Sequence, residues 1–249
     1  MNDTTSGQVT RSAADVYEEF FVPALFREWA GRVASAAGIS AGQHVLDVAC
    51  GTGVLAREAA ERTGTNGTVT GIDCNEGMLA VAGRVAPEID WQYGLAETLP
   101  FDDGRFDAVV SQFGLMFFED RAAALAEMWR VLRPGGRLAV AVWDALGRTP
   151  GYAAMTDLLQ RLFGDAAADS IRAPYVLGDP KDLQSLFAAA GIPDARTETQ
   201  NGTARFPSIE AWVHTDVKGW TLADMIDDAQ YETLRRAAVA ELNGFKQCD

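Results

Sequence analysis

Two carboxylates and a pair of glycines carry the chemistry most plainly: Asp47, Gly51-Thr52-Gly53 and Asp73. Asp47 lies near the end of an apolar run, VLDVAC, and the glycines follow at once. Glycine at such a turn lets backbone approach a ligand, because no Cβ intervenes. Gly51, Gly53 and Ala56 also satisfy the GxGxxA spacing, with Asp73 20 positions beyond Gly53. That spacing suits a dinucleotide whose ribose hydroxyls meet the acid. Two ligands therefore compete: a nicotinamide dinucleotide, or a smaller nucleoside with no phosphate. Asp47 separates them. A carboxylate aimed at the strand end repels a pyrophosphate and suits an ammonium or sulfonium.

Acid–base and nucleophilic candidates are few. His44 opens the first strand, at the end of the sheet away from ligands. His214, in AWVHTDVKGW, is a candidate general base at an acceptor pocket. Cys50, Cys74 and Cys248 show no CxxC and no metal-type spacing, and an odd count argues against a disulfide framework. Asp107 stands alone at the start of its strand, so no metal is expected.

Alternating strands and helices must position these groups. The pattern predicts a helix over 12–37, with Ser12 as a cap and Gly38 as a stop. Strands follow over 44–49, 69–72, 89–93, 106–111 and 137–143. Helices fall between them over 54–62, 76–85 and 121–132, the last capped by Asp120 and ended by Arg133-Pro-Gly-Gly136. Five alternations predict a doubly wound parallel sheet, with ligands outside the carboxyl ends of the strands. Beyond 144, Tyr152 to Phe163 reads as an amphipathic helix and 164–178 as a loop or lid. A helix begins at Pro180 behind Asp179, with Gly191 beyond its end. Residues 195–206 read as a strand, and 208–218 and 221–241 as helices.

The ordered series decides between the ligands. After VLDVACGTG come Asp73, then Gly94-Leu-Ala-Glu-Thr-Leu-Pro-Phe101, then Phe106-Asp-Ala-Val-Val-Ser-Gln112, then Arg130-Val-Leu-Arg-Pro-Gly-Gly-Arg-Leu138. Over residues 40–143 the chain resembles the class I S-adenosylmethionine-dependent methyltransferases, most of all the branch that includes the quinone C-methyltransferases. The resemblance implies a seven-stranded, mostly parallel α/β sheet. It implies one domain over 1–249, with a cofactor core at 40–143, a helical N-terminal cap at 12–38 and a substrate-side helical insertion at about 145–180. The sixth and seventh strands would come from 195–206 and from the region beyond it.

The same resemblance assigns roles. Gly51 and Gly53 would face the methionine part of S-adenosylmethionine, with Ala49 beside them. Asp47 would face its amino group, and Asp73 would take both ribose hydroxyls. Cys74 and Met78 would pack on the adenine, and Ala96 would meet its edge. Leu95 stands where the family often has Asp or Asn, so Glu97 or a backbone carbonyl would replace that contact. Gln112 and Phe113 would line the transfer site, and Tyr17 would close over it with Phe21. Phe117, Trp143, Tyr152 and Tyr175 would line the acceptor pocket.

Methyl transfer from a sulfonium needs alignment and exclusion of water, so no catalytic triad is expected. The implied acceptor is a small apolar or aromatic molecule. A nicotinamide oxidoreductase and a non-catalytic cofactor-binding module are the competing classes. The formal charge of −14 argues against a nucleic-acid substrate. No apolar run reaches the length of a membrane span, so a cytoplasmic protein is expected, monomeric or homodimeric.

Overall fold

The computed structural model describes residues 11–219, 222 and 225–246. Its centre is a sheet of five parallel strands: β1 (His44–Val48), β2 (Thr68–Asp73), β3 (Asp90–Tyr93), β4 (Phe106–Gln112) and β5 (Leu132–Ala141). Their order is β3-β2-β1-β4-β5, so the winding reverses between β1 and β4. Ligands of such sheets bind outside the carboxyl ends at that reversal.

Both faces of the sheet are covered, which is why the strands read as apolar throughout. Side chains alternate across β1. Val45 joins a cluster with Ala30, Val33, Leu55 and Ala56, from α2 (Arg27–Ala36) and α3 (Val54–Thr63). Leu46 and Val48 join the opposite cluster with Leu125 and Met128 of α5 (Arg121–Arg130). Asp47 shares the parity of Val45, so it faces α3.

The helix boundaries follow local chemistry. Asp120 accepts from the Ala123 N–H at 2.9 Å and caps α5 as the sequence predicts. Asn75 does the same for α4 (Glu76–Val85), accepting from Met78 at 3.0 Å. That cap was not anticipated. The N-terminal segment is helical from α1 (Arg11–Val16), so Ser12 lies inside the helix rather than at its cap. Between α1 and α2 the winding widens to the π type over Tyr17–Phe26, around Pro23. Proline lacks an N–H and cannot continue the regular ladder.

Several expectations change. Arg133-Pro-Gly-Gly136 does not precede β5; it bulges inside it. Leu132 pairs with Phe106, and pairing resumes with Arg137 opposite Ala108. The expected lid at 164–178 is largely helical: α7 (Asp165–Arg172) follows α6 (Pro150–Phe163), and a tight turn covers Ala173–Tyr175. The helix α8 (Pro180–Ala189) has the predicted Asp179 cap. Residues 195–206 join no strand. The segment lies on α2 instead, with a Cβ at Gly202 meeting Trp29 at 2.4 Å and the Arg205 N–H donating to the Ala24 carbonyl. Too polar and too bound to the cap, it forms no sheet ladder.

Two further helices, α9 (Ile209–Lys218) and α10 (Asp228–Glu241), pack with α6 and α7 into a separate apolar cluster. The helix expected from 221 starts only at Asp228. Asp227 and Gln230 form a reciprocal capping box there, which sets the boundary. Thr221, Ala223 and Asp224 of that expectation, and Cys248, lie outside the described residues. Among the described residues no helix is long and apolar enough to cross a membrane.

Candidate functional site

Strands β1, β2, β4 and β5 end on one side of the sheet, and the candidate residues gather there. The backbone is forced at this rim. Ala49 has φ +56° and Phe113 has φ +57°, although neither is glycine. Such values cost about 1–3 kcal/mol and cluster where a ligand must be approached. A Cβ on Gly114 would fall 2.6 Å from Ala49, so the loops after β1 and β4 touch. Gly51 has φ +56°, and its missing Cβ would meet nothing within 4 Å. Gly53 differs. Its Cβ would strike the Trp91 ring at 2.3 Å, so that glycine makes room for an indole rather than for a ligand. Trp91 is anchored by donating Nε1–H to the Ala86 carbonyl at 2.8 Å. Sequence reading missed it, because β3 carries no motif.

Asp73 knits the rim. Its Oδ2 accepts from the Gly51 N–H and its Oδ1 from the Asn75 N–H, both at 2.8 Å. The Cys74 N–H favours the same charge. Burial pushes its carboxyl above the ordinary range, and these N–H groups hold it back in part. Asp47 is 1% exposed, and neither oxygen has a hydrogen-bond partner among the described residues. The Ala56 N–H favours its charge from nearby without hydrogen-bond geometry. Burial, and then the Asp73 charge, push Asp47 well above the ordinary carboxyl range. Other orphaned polar atoms collect at the same rim: Thr52 Oγ1, Glu18 Oε2 and Gln112 Oε1. Buried polar groups rarely stay unpaired, so these atoms make the rim a candidate place for a polar ligand.

The N-terminal segment closes the rim from above. Tyr17 is half-buried, and burial, Asp73, Glu18 and Asp47 all push its phenol up. Ala14 packs with Met78 and Val81, with Tyr17 against them. Arg57 of α3 acts as a latch: it donates to the Thr52 carbonyl at 2.7 Å and to Glu18 at 2.9 Å. An Asp15–Arg84 ion pair adds a second tie, to α4. Gln112 donates to the Phe26 carbonyl at 3.2 Å.

Beyond β4 and β5 the rim becomes aromatic. Phe113 and Trp143 stack with ring centres 3.8 Å apart, and Phe26 and Trp29 flank both. Tyr175 stands 6.5 Å from Trp143 and 6.1 Å from Tyr152. Phe117 is half-buried against the same core. Phe26 and Trp29 were not anticipated, because the helical period alone does not say which face meets a sheet end.

Some expected members sit elsewhere. Glu97 accepts from the backbone of Glu119 and Asp120 at 3.0 and 3.4 Å, which commits one of its oxygens to that loop. Ala96 is buried and Leu95 half-exposed beside it. Cys74 lies between Asp73 and the Asn75 cap, and burial with nearby acids pushes Cys50 well up. His44 meets Thr68 at 2.6 Å, at the opposite end of the sheet. His214 faces Phe20 and Tyr231, and none of its described contacts is with Trp143, Tyr152 or Tyr175. Asp107 accepts from the His44 N–H at 2.6 Å and pairs with Arg133, so it is tied to the far end too. Among the described residues no group of His, Cys, Asp or Glu is arranged to hold a metal.

A paired-acid rim with a carboxylate that has no hydrogen-bond partner among the described residues suits a cationic nucleoside. Comparison with known proteins agrees. Residues 45–136 match the family model of a methyltransferase domain. A demethylmenaquinone methyltransferase of Renibacterium salmoninarum is 36% identical over 201 residues, covering 76% of this chain and 82% of that one. The chain is a class I S-adenosylmethionine-dependent methyltransferase. It belongs to the branch that includes the quinone C-methyltransferases. A ubiquinone/menaquinone biosynthesis C-methyltransferase of Paraburkholderia phymatum is 39% identical over 197 residues, covering 72% and 79% of the two chains. A solved structure from Methanococcus maripaludis, proposed to be an S-adenosyl-L-methionine-dependent methyltransferase, shares the fold. Its TM-score is 0.57 at 20% identity, over 79% of this chain and 91% of that one. The nicotinamide reading is not favoured.

In this methyltransferase the Arg57 latch should matter for cofactor retention. Arg57→Ala removes two charge-assisted hydrogen bonds, each worth about 1.5–3 kcal/mol at most and less where water reaches them. Affinity for S-adenosylhomocysteine, read by calorimetry, should fall about three- to thirty-fold, with faster release. An unchanged release rate would show that the cap is held without the Arg57 latch.

Proposed function

We propose that the methyltransferase acts on a small aromatic ring of quinone type, most readily at a ring carbon. The observation that carries this is the stacked Phe113–Trp143 pair, set among Phe26 and Trp29 directly beside the Asp47–Asp73 rim. An aromatic wall there gives a flat apolar ring stacking surface next to the cofactor end. The relatives named above act on quinone precursors by their names, which supports the same acceptor class. The chain is read as one unit, with 40–143 holding the cofactor, 12–38 capping it and 145–180 facing the acceptor.

S-adenosylmethionine, when bound, supplies a methyl group already activated on a sulfonium. The residues at the rim fit it. Asp47 would receive its ammonium, which satisfies the orphaned carboxylate. Asp73 would accept from the ribose hydroxyls with the lone pairs that its backbone N–H partners leave. Gly51 leaves backbone open to the methionine part, and Tyr17 with Met78 would close the nucleoside side. The protein's part in the reaction is alignment and exclusion of water, worth up to about 7–11 kcal/mol of the barrier.

The test is transfer of a labelled methyl group from S-adenosylmethionine to a panel of acceptors. Naphthohydroquinone should take label into the organic phase, with the methyl on a ring carbon by mass spectrometry. Label transferred to amines or to protein, with none on the hydroquinone, would overturn the reading.

A further inference from the structure

We propose that Asp216, held by the Tyr152 hydroxyl, is the proton acceptor for the ring hydroxyl of a phenolic methyl acceptor. This deepens the ring-acceptor reading above and rests on it. Asp216 lies on α9 and is 3% exposed. Tyr152 of α6 donates to its Oδ1 at 3.2 Å. Its Oδ2 has no hydrogen-bond partner among the described residues. One helical turn earlier, the buried Trp212 indole N–H is also unpartnered among them. It lies close enough to favour the Asp216 charge, though outside hydrogen-bond geometry.

An orphaned acceptor and an orphaned donor side by side match one kind of ligand atom. A hydroxyl donates to Oδ2 and accepts from the indole N–H. A quinone carbonyl satisfies only the indole and meets the carboxylate lone pairs. The ring line Tyr152–Tyr175–Trp143–Phe113, with centres 6.1, 6.5 and 3.8 Å apart, joins this pair to the rim where the methyl group arrives. Tyr175 is half-buried on that line, where an acceptor ring would enter.

The groups facing Asp216 are few. Tyr152 comes from α6, and Tyr175 from the turn after α7. On its own helix, His214 turns to Phe20 and Tyr231, and Lys218 turns to Asp228 of α10. Burial pushes Asp216 up to about 8, and the Tyr152 hydroxyl holds it from rising further. That range suits a base for a phenol better than an ordinary carboxylate would.

The step balances without any added oxidant or reductant. The acceptor O–H bond breaks and its proton passes to Asp216 Oδ2. The electron density released onto the ring forms the new carbon–carbon bond to the methyl group. The carbon–sulfur bond breaks, and its electron pair stays on sulfur as a neutral thioether. The proton on the methylated ring carbon then leaves to water, and Asp216 returns its proton to the ring oxygen, restoring the phenol.

The test uses 1-naphthol and 1-methylnaphthalene as probes, bound to the S-adenosylhomocysteine complex and followed by calorimetry. In the wild type, 1-naphthol should bind about tenfold more tightly than 1-methylnaphthalene once Asp216 is ionised, a preference of the size a charged acceptor gives. Below that titration its binding should release a proton, seen as a dependence on buffer ionisation enthalpy. Asp216→Asn should bind both probes alike and release none. A preference or proton release that survives in Asp216→Asn overturns the proposal. So does equal binding of both probes by the wild type, which leaves the ring-acceptor reading standing. Failure of both probes to bind, with S-adenosylhomocysteine still bound, overturns that reading and the proposal with it. Should Asp216→Asn not fold, Tyr152→Phe serves instead. It should move the midpoint of proton release to higher pH, and an unmoved midpoint counts against the pair.

Discussion

Asp47→Asn should weaken S-adenosylhomocysteine binding about a hundredfold while raising the unfolding temperature of the ligand-free protein. The two effects share one cause. Asp47 is buried without a hydrogen-bond partner among the described residues, and such a carboxyl destabilises the fold by about 1–3 kcal/mol. Asparagine keeps the shape and removes the charge. On the proposed reading Asp47 pairs with the ligand's ammonium, and removing one partner of a buried charge pair typically costs about 2–5 kcal/mol of binding.

The sign of the pH effect follows from the raised pKa. Above the ordinary carboxyl range the unfolded chain has lost the Asp47 proton while the folded chain keeps it. Folding then takes up a proton, and stability falls as pH rises toward the folded pKa. Asparagine should remove that part of the slope. Cofactor binding works the other way. The incoming cation favours the charged carboxylate, a proton is released, and affinity rises with pH until the ligand-free pKa is passed. Calorimetry and thermal unfolding across pH check both. Affinity within twofold of the wild type would refute the ammonium assignment.

Gly53→Ala should be the most damaging small substitution in the loop after β1, costing about 2–4 kcal/mol of stability. Two terms add. The residue has φ +88°, and the new Cβ would lie 2.3 Å from Trp91 Cη2 and 3.1 Å from two more ring atoms. Trp91 cannot retreat easily. It is bound to the Ala86 carbonyl and also sits against Gly71, where a Cβ would lie 2.4 Å from the same ring. Trp91→Phe removes the outer ring atoms. The double variant Gly53→Ala/Trp91→Phe should therefore lose less than the sum of the two single losses, by about 1 kcal/mol or more. Strict additivity in denaturant unfolding would show that the glycine is needed for its backbone angle or its ligand and not for the indole.

Much of this methyltransferase was legible in residue order. Near-continuous apolar runs flanked by capped helices specify buried parallel strands, and the capping residues Asp120 and Asp179 stand where a side-chain oxygen must meet free N–H groups. That Asp47, Gly51 and Asp73 gather at one rim was readable because strand ends of a doubly wound sheet converge whatever the side chains. The misreadings have local causes. The Arg133–Gly136 turn reads as a boundary, but the β4–β5 ladder resumes past it, so the turn becomes a bulge. Residues 195–206 have partial strand propensity, and their contacts with Trp29, Ala24 and Glu28 outweigh it.

What sequence alone determined was the periodic part: the alternation of elements, the order of motifs and the acids at the strand ends, all set by short-range spacing. Tertiary structure decided which distant side chains meet. It placed Trp91 under Gly53, Arg57 between Thr52 and Glu18, and Asp216 against Tyr152, while turning His214 away. Apart from Arg57 on Thr52, those contacts join residues tens of positions apart, and no local period encodes them. They exist because packing two helix layers and a capping segment onto one sheet leaves each of these groups a single place to go.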